Sequence, residues 1–455
     1  MHMTKLSDLP LEVKAAIFGK PLVQNIDQIK TSVSEGFGSS PKAPYNEFSN
    51  ASTLSDANNH FVSVNNDTLY SQVMMDLSAG PVVLEIPEIK NRYYVFQLVD
   101  AWTNNFGYLG QRTLGEKGGK FIFAQSDQMN DIPAEYSDYQ VIKAPSQVIA
   151  VVGRIACTGE DDLVNVHALQ KQLVVHGVNE KAEITGTPTV DTNDTDALLF
   201  WKKLRTYMQA YPVSESFKPI FEDIEKLIGL NDERNANDYF AALSEEAQQK
   251  LIDGEKQATK VIVDLLENSN ARTENGWQEQ FHVFDYNVDY FEFGALKGKE
   301  WEVGYAKTTE ALEEASVLRN VAATAGLWGN NGYEALYFPT YVDGSGNQLD
   351  GNNVYELTFT ELPPVDAFWS ITMYDAENFF LVDNEINRYS IGDRTAGIKY
   401  EDDGSLKIQI SAEKPEDTAN WLPAPKGRFR PVLRAYLPQK AIFDETYKLP
   451  GINLK

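Results

Sequence analysis

The sequence predicts an α+β protein, mainly β, built as two antiparallel β-sandwich domains of related topology with a helical insert between them. Three observations carry that expectation. Short runs of alternating apolar and polar residues, rich in Val, Ile, Phe and Tyr, occupy the regions before and after the middle of the chain, as half-buried strands do. In the middle, apolar residues recur three and four apart, which is the period of a helix. One ordered set of strand-like stretches is also written twice.

The chain opens with two short helical patterns, Leu11 to Phe18 and Val23 to Val33, and a loop rich in Ser, Gly, Pro and Asn from Glu35 to Asn59. Strand signals follow in DTLYSQVMMDLS, GPVVLEIP, RYYVFQLVDAW, GKFIFAQ and SQVIAVVGRIAC; their spacing alone fits a sandwich or a barrel. From about Asp161 the helical period takes over, in Leu163 to Val174, Ala197 to Tyr207, Phe217 to Ile228, Glu245 to Asn268 and Lys307 to Leu327. Asp194 and Ser214 are candidate N-caps for two of these. After Gly329 strands resume in YEALYFPTYVD, NVYELTFTEL, AFWSITMYDA, GSLKIQIS and GRFRPVLRAYLP. The expected units are N-terminal helices and loop over 1–59, a first sandwich over 60–160, the helical insert over 161–328 and a second sandwich over 329–455.

The two strand regions agree element by element. NNDTLYSQ (from Asn65) and NNGYEALYFP (from Asn330) both start Asn-Asn and reach an apolar residue followed by Tyr. VVLEIP then faces YELTFTELP, and RYYVFQLVDAWTNNF faces AFWSITMYDAENFF. GKFIFAQ faces GSLKIQIS, and VVGRIAC faces VLRAYLP, each of the last pair being a strand that contains an arginine. Alternation is common to all half-buried strands, so each match is weak; five in one order point to a fold used twice.

Composition narrows the function. At 455 residues the chain exceeds a single core and suggests two or three units of about 100 to 200 residues. Apolar residues make up 42% and charged residues 23%, an ordinary globular composition. With 40 basic and 66 acidic residues the net charge is −26, which repels nucleic acid and anionic lipid surfaces. The single cysteine, Cys157, excludes an internal disulfide framework and a cysteine-based zinc site; in its apolar run it reads as a buried structural thiol. That run, interrupted by Arg154, falls short of the roughly 18 residues a membrane span requires. The opening MHMTKLSDLP lacks the basic and apolar signature of an export signal. A periplasmic or secreted location is expected if such a signal was removed ahead of it, a cytoplasmic one otherwise.

Most catalytic motifs are missing. His2, His60, His167, His176 and His282 have no metal-binding spacing, so no metal and no cofactor are expected. DGSGNQLDG lacks the Gly and Glu of a calcium loop and reads as a polar hairpin. GEKGGKF is too short and lacks the hydroxyl residue of a phosphate loop, and neither a nucleophile elbow nor a dinucleotide fingerprint occurs. What remains is a density of polar residues at strand ends: Asn65, Asn66, Asp67, Tyr70, Asp100, Asn104, Asn105 and Arg112 in the first half, and Tyr374, Asp375, Asn384, Asn387, Arg388, Tyr389, Asp393 and Arg394 in the second, with Trp421 in NWLPAP. Loops at the end of a rigid sandwich suit ligand binding, and the candidate set is Asp67, Tyr70, Asp100, Asn104, Arg112, Tyr374, Asn387, Arg388 and Trp421. The alternative is that these groups satisfy one another and cap strand ends.

The stretch VNNDTLYSQVMMDLSAGPVVLEIPEIKNRYYVFQLVDAWTNNFGYLGQRTLG resembles the domain of unknown function numbered 1254. FWSITMYDAENFFLVDNEINRYSIGDR together with NWLPAPKGRFRPVLRAYLP resembles its usual C-terminal companion, numbered 1214. The resemblance covers roughly 60–190 and 335–450. It implies a sandwich of jelly-roll type in each half and supplies no reaction, because neither family has an assigned activity or assigned catalytic residues. Many relatives carry an export signal. Three functions follow as rivals: binding of a small organic or sugar ligand in a cleft at the strand-end loops; a hydrolase or lyase with Asp100 or Asp67 as base and Arg388 or Arg112 holding a carboxylate; or a structural, homo-oligomeric assembly protein.

Overall fold

The computed structural model describes residues 6–58, 63–179, 181–191, 193, 195–267, 272–289, 293–296, 301 and 307–455. His2, His60 and Asp194 lie outside them. After the small hairpin of β1 (Gly36–Phe37) and β2 (Ser40–Pro41), the first half forms β3 (Phe48–Asn50), β4 (Thr68–Asp76), β5 (Val82–Ile86), β6 (Tyr94–Val99), β7 (Asn105–Gly110), β8 (Gly119–Ala124), β9 (Gln140–Lys143), β10 (Val148–Ala156) and β11 (Val174–Gly177). These make two sheets, in the orders β3-β4-β10-β6-β7 and β11-β5-β8-β9. Leu69, Phe96 and Ile149 from one and Leu84, Phe121 and Phe123 from the other share one core.

The second half follows a hairpin of β12 (Arg272–Glu274) and β13 (Trp277–Glu279) and comprises β14 (Ala335–Pro339), β15 (Tyr355–Phe359), β16 (Val365–Asp375), β17 (Ser390–Gly392), β18 (Leu406–Ser411), β19 (Trp421–Pro423), β20 (Phe429–Pro438) and β21 (Ile452–Leu454). Its sheets run β14-β20-β16-β17 and β19-β18-β15-β21 around Leu336, Trp369, Leu433, Leu357 and Ile408. Taken in chain order, β4-β10-β6-β7 and β14-β20-β16-β17 are the same arrangement, as are β11-β5-β8-β9 and β21-β15-β18-β19. The five stretches written twice in the sequence occupy β4 and β14, β5 and β15, β6 and β16, β8 and β18, and β10 and β20.

Two details depart from expectation. β8 pairs with β9 in parallel, and β18 with β19 likewise, so neither half is purely antiparallel as a jelly roll is. The helix expected over Leu163 to Val174 also stops early, at Gln170, and the chain continues into β11 beside β5.

Nine helices are found among the described residues: α1 (Leu11–Ser34), α2 (Gln111–Leu114), α3 (Leu163–Gln170), α4 (Leu199–Ala210), α5 (Lys218–Leu227), α6 (Ala236–Ala241), α7 (Glu245–Glu267), α8 (Thr309–Gly326) and α9 (Lys440–Phe443). The two N-terminal patterns are thus one helix, α1, which carries Pro21 in its interior. Proline removes the donor that would reach the carbonyl four residues back, here that of Ile17. The side-chain amide of Asn320 on α8 donates to that carbonyl at 2.8 Å, so the ladder is mended from outside and α1 continues. Gly19 lets Leu204 of α4 approach so closely that a Cβ there would overlap its methyl group. Ser214 precedes a short 3-10 turn without capping it through its side chain, and α6, capped by Asn235, carried too short a pattern to be read.

The helices cover the outer face of the first sandwich. Ile149, Val151 and Ile155 of β10 point into the sandwich core, while Val148, Ala150 and Val152 enter the helical core with Phe18, Trp201 and Leu312. Both faces of β10 are buried, which explains why it is the most apolar run of the chain. Gly153 is required there, since a Cβ would lie 2.2 Å from the Ser71 carbonyl oxygen. Among the described residues no helix is long and apolar enough to cross a membrane.

Candidate functional site

Arg154 is the polar exception on β10. It stands opposite Tyr70 of β4 in the antiparallel register. Arg434 of β20 stands opposite Tyr337 of β14, so each half carries an Arg–Tyr pair at the same position of the same two strands. The guanidinium carbon of Arg154 lies 5.5 Å from the Tyr70 ring centroid, and that of Arg434 lies 5.9 Å from the Tyr337 ring, within cation–π range. All four side chains, with Arg430, line one cavity of about 250 Å³ between the two halves and the helices. Its walls are otherwise largely apolar, with Phe281, Phe284, Trp328 and Leu336 prominent.

The guanidiniums are held by neutral groups. Arg154 donates to Gln97 Oε1 at 2.8 Å and to the Trp328 carbonyl at 2.9 Å. Arg434 donates to Thr372 Oγ1 and the Tyr374 hydroxyl, both at 2.7 Å, and to the Ser63 carbonyl at 3.0 Å. Burial works against the charge of Arg434, but Tyr374, Tyr436 and Asp67 outweigh it and raise the pKa. For Arg430 burial prevails and lowers it. The Tyr337 hydroxyl is pushed up by burial and opposed by both Arg154 and Arg434. The acids whose charge acts on Arg154 and Arg434 are already engaged. Glu334, 1% exposed, accepts from Arg112 at 2.8 Å and from the Tyr93 hydroxyl at 3.1 Å; Asp67 accepts from Ser370 at 2.7 Å and Tyr436 at 3.0 Å.

Two further cavities hold residues read from the sequence. A polar cleft of about 220 Å³ is lined by Asp67, Asn387, Arg388 and Arg394, together with Cys157. A larger space of about 840 Å³ opens between α4, α8 and the first sandwich, with Asp100, Asn104 and Arg319 on its wall. Asp100 is pushed up to about 6 by burial, against hydrogen bonds from Asn104 and the charge of Arg319.

Residues 45–177 match the family model described as "Protein of unknown function (DUF1254)", and residues 334–440 match the one described as "Protein of unknown function (DUF1214)". Both family segments are present, in that order. The fold is similar to that of the VPA0106 protein from Vibrio parahaemolyticus, at 24% identity and a TM-score of 0.67, covering 98% of this chain and 100% of that chain. An uncharacterized protein from Burkholderia cenocepacia is 11% identical over 96% of this chain and 87% of that one, with a TM-score of 0.43. No curated protein matches.

The candidate residues read from the sequence separate into groups. From the DUF1254 segment, Tyr70 faces the central cavity, Asp100 and Asn104 the largest one, and Asp67 the polar cleft. Arg112 is taken up by Glu334. From the DUF1214 segment, Asn387 and Arg388 join Asp67, but the Arg388 guanidinium donates to the carbonyls of Thr418, Ala419 and Trp421. Tyr374 is fully buried beside Arg434, and Trp421 is buried with its indole N–H on the Ser411 carbonyl. Of the four acid–base pairings foreseen, only Asp67 with Arg388 shares a cleft. Cys157 is buried and its thiol is raised by burial.

Arg154, Arg430 and Arg434 were absent from the sequence-read set. For Arg154 and Arg434 the signal was present: one arginine in VVGRIAC and one in VLRAYLP, at corresponding places in the repeat. These residues are carried on the strands themselves and not on the strand-end loops.

Proposed function

We propose that this protein binds a small organic ligand in the cavity between its two halves. The observation that carries this reading is convergence: Tyr70 and Arg154 from the DUF1254 segment and Tyr337, Arg430 and Arg434 from the DUF1214 segment all line one apolar-walled space. A few convergent polar groups on an otherwise apolar wall are what small-molecule sites present. Groups on strands are also held more rigidly than groups on loops. The cavity therefore suits the role better than the strand-end cleft, where Asp67 is engaged by Ser370 and Tyr436 and Arg388 by the carbonyls of Thr418, Ala419 and Trp421.

Thermal-shift screening of the full chain against small organic acids, amides, alcohols and sugars tests this. Stabilisation by at least one class is expected, and its loss in Ala335→Phe, which fills the cavity from β14, locates the site. A screen in which no class shifts the melting temperature of the unaltered protein overturns the reading.

The rival hydrolase or lyase reading draws on Asp67 and Arg388 lining one polar cleft. It requires Asp67→Asn to abolish turnover of some ester, amide or hydroxy acid that the unaltered protein consumes.

A further inference from the structure

The equivalence of Arg154 and Arg434 goes beyond the presence of a cavity, because it specifies the charge of what fits. Both side chains are almost fully removed from solvent, at 6% and 3% exposure, and both open onto the same space. Their hydrogen bonds run to an amide oxygen, carbonyl oxygens and hydroxyls. Among the described residues Arg154, Arg430 and Arg434 make no ion pair, while Arg112 and Arg92, in the same sandwich as Arg154, do.

A guanidinium taken out of water without a counter-charge is strongly unfavourable, and buried charges are ordinarily paired; an anion in the cavity supplies the partner these lack. The two carboxylates that act on these cations, Glu334 and Asp67, are bound by Arg112, Tyr93, Ser370 and Tyr436. Donor capacity remains. Each guanidinium carries five N–H groups, and the Nε of both Arg430 and Arg434 is buried without a partner.

We propose that the cavity binds a small organic acid, its carboxylate held between the Arg154 and Arg434 guanidiniums and its apolar body lying along Phe281, Phe284 and Trp328. The inference rests on the reading of this cavity as a ligand site. The planar guanidinium fork matches a carboxylate in two-point contact, and the aromatic walls suit an aryl or short alkyl group rather than a polyol. A volume of about 250 Å³ lies just under the range of drug-sized sites, about 300 to 1,000 Å³, so the acid is a small one. Neither family segment supplies both arginines; the carboxylate site exists only where the two halves meet.

Isothermal titration of the full chain with benzoate and hexanoate against benzamide, hexanamide and phenyl phosphate, at fixed ionic strength and pH 7, decides the matter. The acids are expected to bind at least about tenfold more tightly than the matching amides. Arg154→Gln and Arg434→Gln are each expected to weaken acid binding at least about tenfold while keeping a cooperative melt. Equal binding of acids and amides, lost in Ala335→Phe, keeps the cavity reading and overturns the acid assignment. Tighter binding of phenyl phosphate than benzoate overturns the carboxylate in favour of a phosphate monoester, and no binding by any of these probes overturns the acid assignment, while the cavity reading stands or falls on the wider thermal-shift screen. Should the arginine variants fail to fold, the comparison of acid with amide on the unaltered protein still decides.

Discussion

Glu334 at the start of the DUF1214 segment accepts a hydrogen bond from Arg112 of the DUF1254 segment across 2.8 Å. The pair joins the two halves from inside, with the carboxylate buried and the guanidinium stacked 4.9 Å from the Tyr333 ring. Burial raises the pKa of Glu334, and Arg112 opposes it.

Removing one partner leaves the other charged and buried. Arg112→Leu is therefore expected to destabilise the protein by about 3 to 5 kcal/mol in urea denaturation. The double variant Arg112→Leu with Glu334→Leu should recover most of that loss, since two apolar side chains replace the pair. If the double variant is as unstable as the sum of the singles, the two residues do not act as a pair.

Asn320 and Pro21 make a second, smaller coupling. Asn320→Leu leaves the Ile17 carbonyl buried and unpaired, at a penalty of about 1 to 3 kcal/mol. In a Pro21→Ala background the backbone can supply its own donor to that carbonyl, so the same substitution should be less damaging. A double-mutant cycle with no coupling energy would count against this account of how α1 tolerates its proline.

Asp100 gives the stability curve a slope of known sign. Its folded pKa of about 6 lies above the unfolded value of about 3.9. Between those values the folded protein holds a proton that the unfolded chain has released, so stability falls as pH rises through the window. The full effect is on the order of 3 kcal/mol and is complete above pH 6. Asp162 works the other way: Arg92 and hydrogen bonds from Asn165 and Thr158 hold it well below the usual carboxylate range against its burial, and it withdraws stability only in stronger acid. The stability of the unaltered protein minus that of Asp100→Asn should fall by about 3 kcal/mol from pH 4 to pH 6.5; a difference constant with pH removes Asp100 from the slope.

The strand repeat was legible because alternation survives wherever one face of a strand meets a core, and Leu69-Tyr70 with Leu336-Tyr337 marked the same register position in both halves. The parallel edge pairs were not legible. β9 and β19 are four and three residues long, and nothing in so short a run separates parallel from antiparallel pairing. Helix α1 was divided at Gly19-Lys20-Pro21 because the remedy for its proline lies about 300 residues away, on Asn320. In the sequence Arg154 interrupts an apolar strand and Arg434 marks the repeat; that both face one cavity depends on how the halves pack, which no local pattern encodes.

Arg388 tests the distinction between a residue at a cleft and a residue of a ligand site. It lies beside Asp67 and Asn387, and from sequence it was a candidate for holding a carboxylate. Its guanidinium instead reaches the carbonyls of Thr418, Ala419 and Trp421, at 2.6, 3.1 and 2.9 Å, and burial lowers its pKa. These contacts tie the loop before β17 to the turn that leads into β19 and seats Trp421 over the core. Hydrogen bonds to a charged donor contribute about 1.5 to 3 kcal/mol, so Arg388→Met is expected to lower stability by roughly 2 to 3 kcal/mol. It should leave the affinity for small acids in the central cavity unchanged, because none of its contacts is shared with Arg154 or Arg434. Paired measurements by urea denaturation and titration separate the two roles: an unchanged midpoint with weakened acid binding would move the ligand site back to the strand-end cleft.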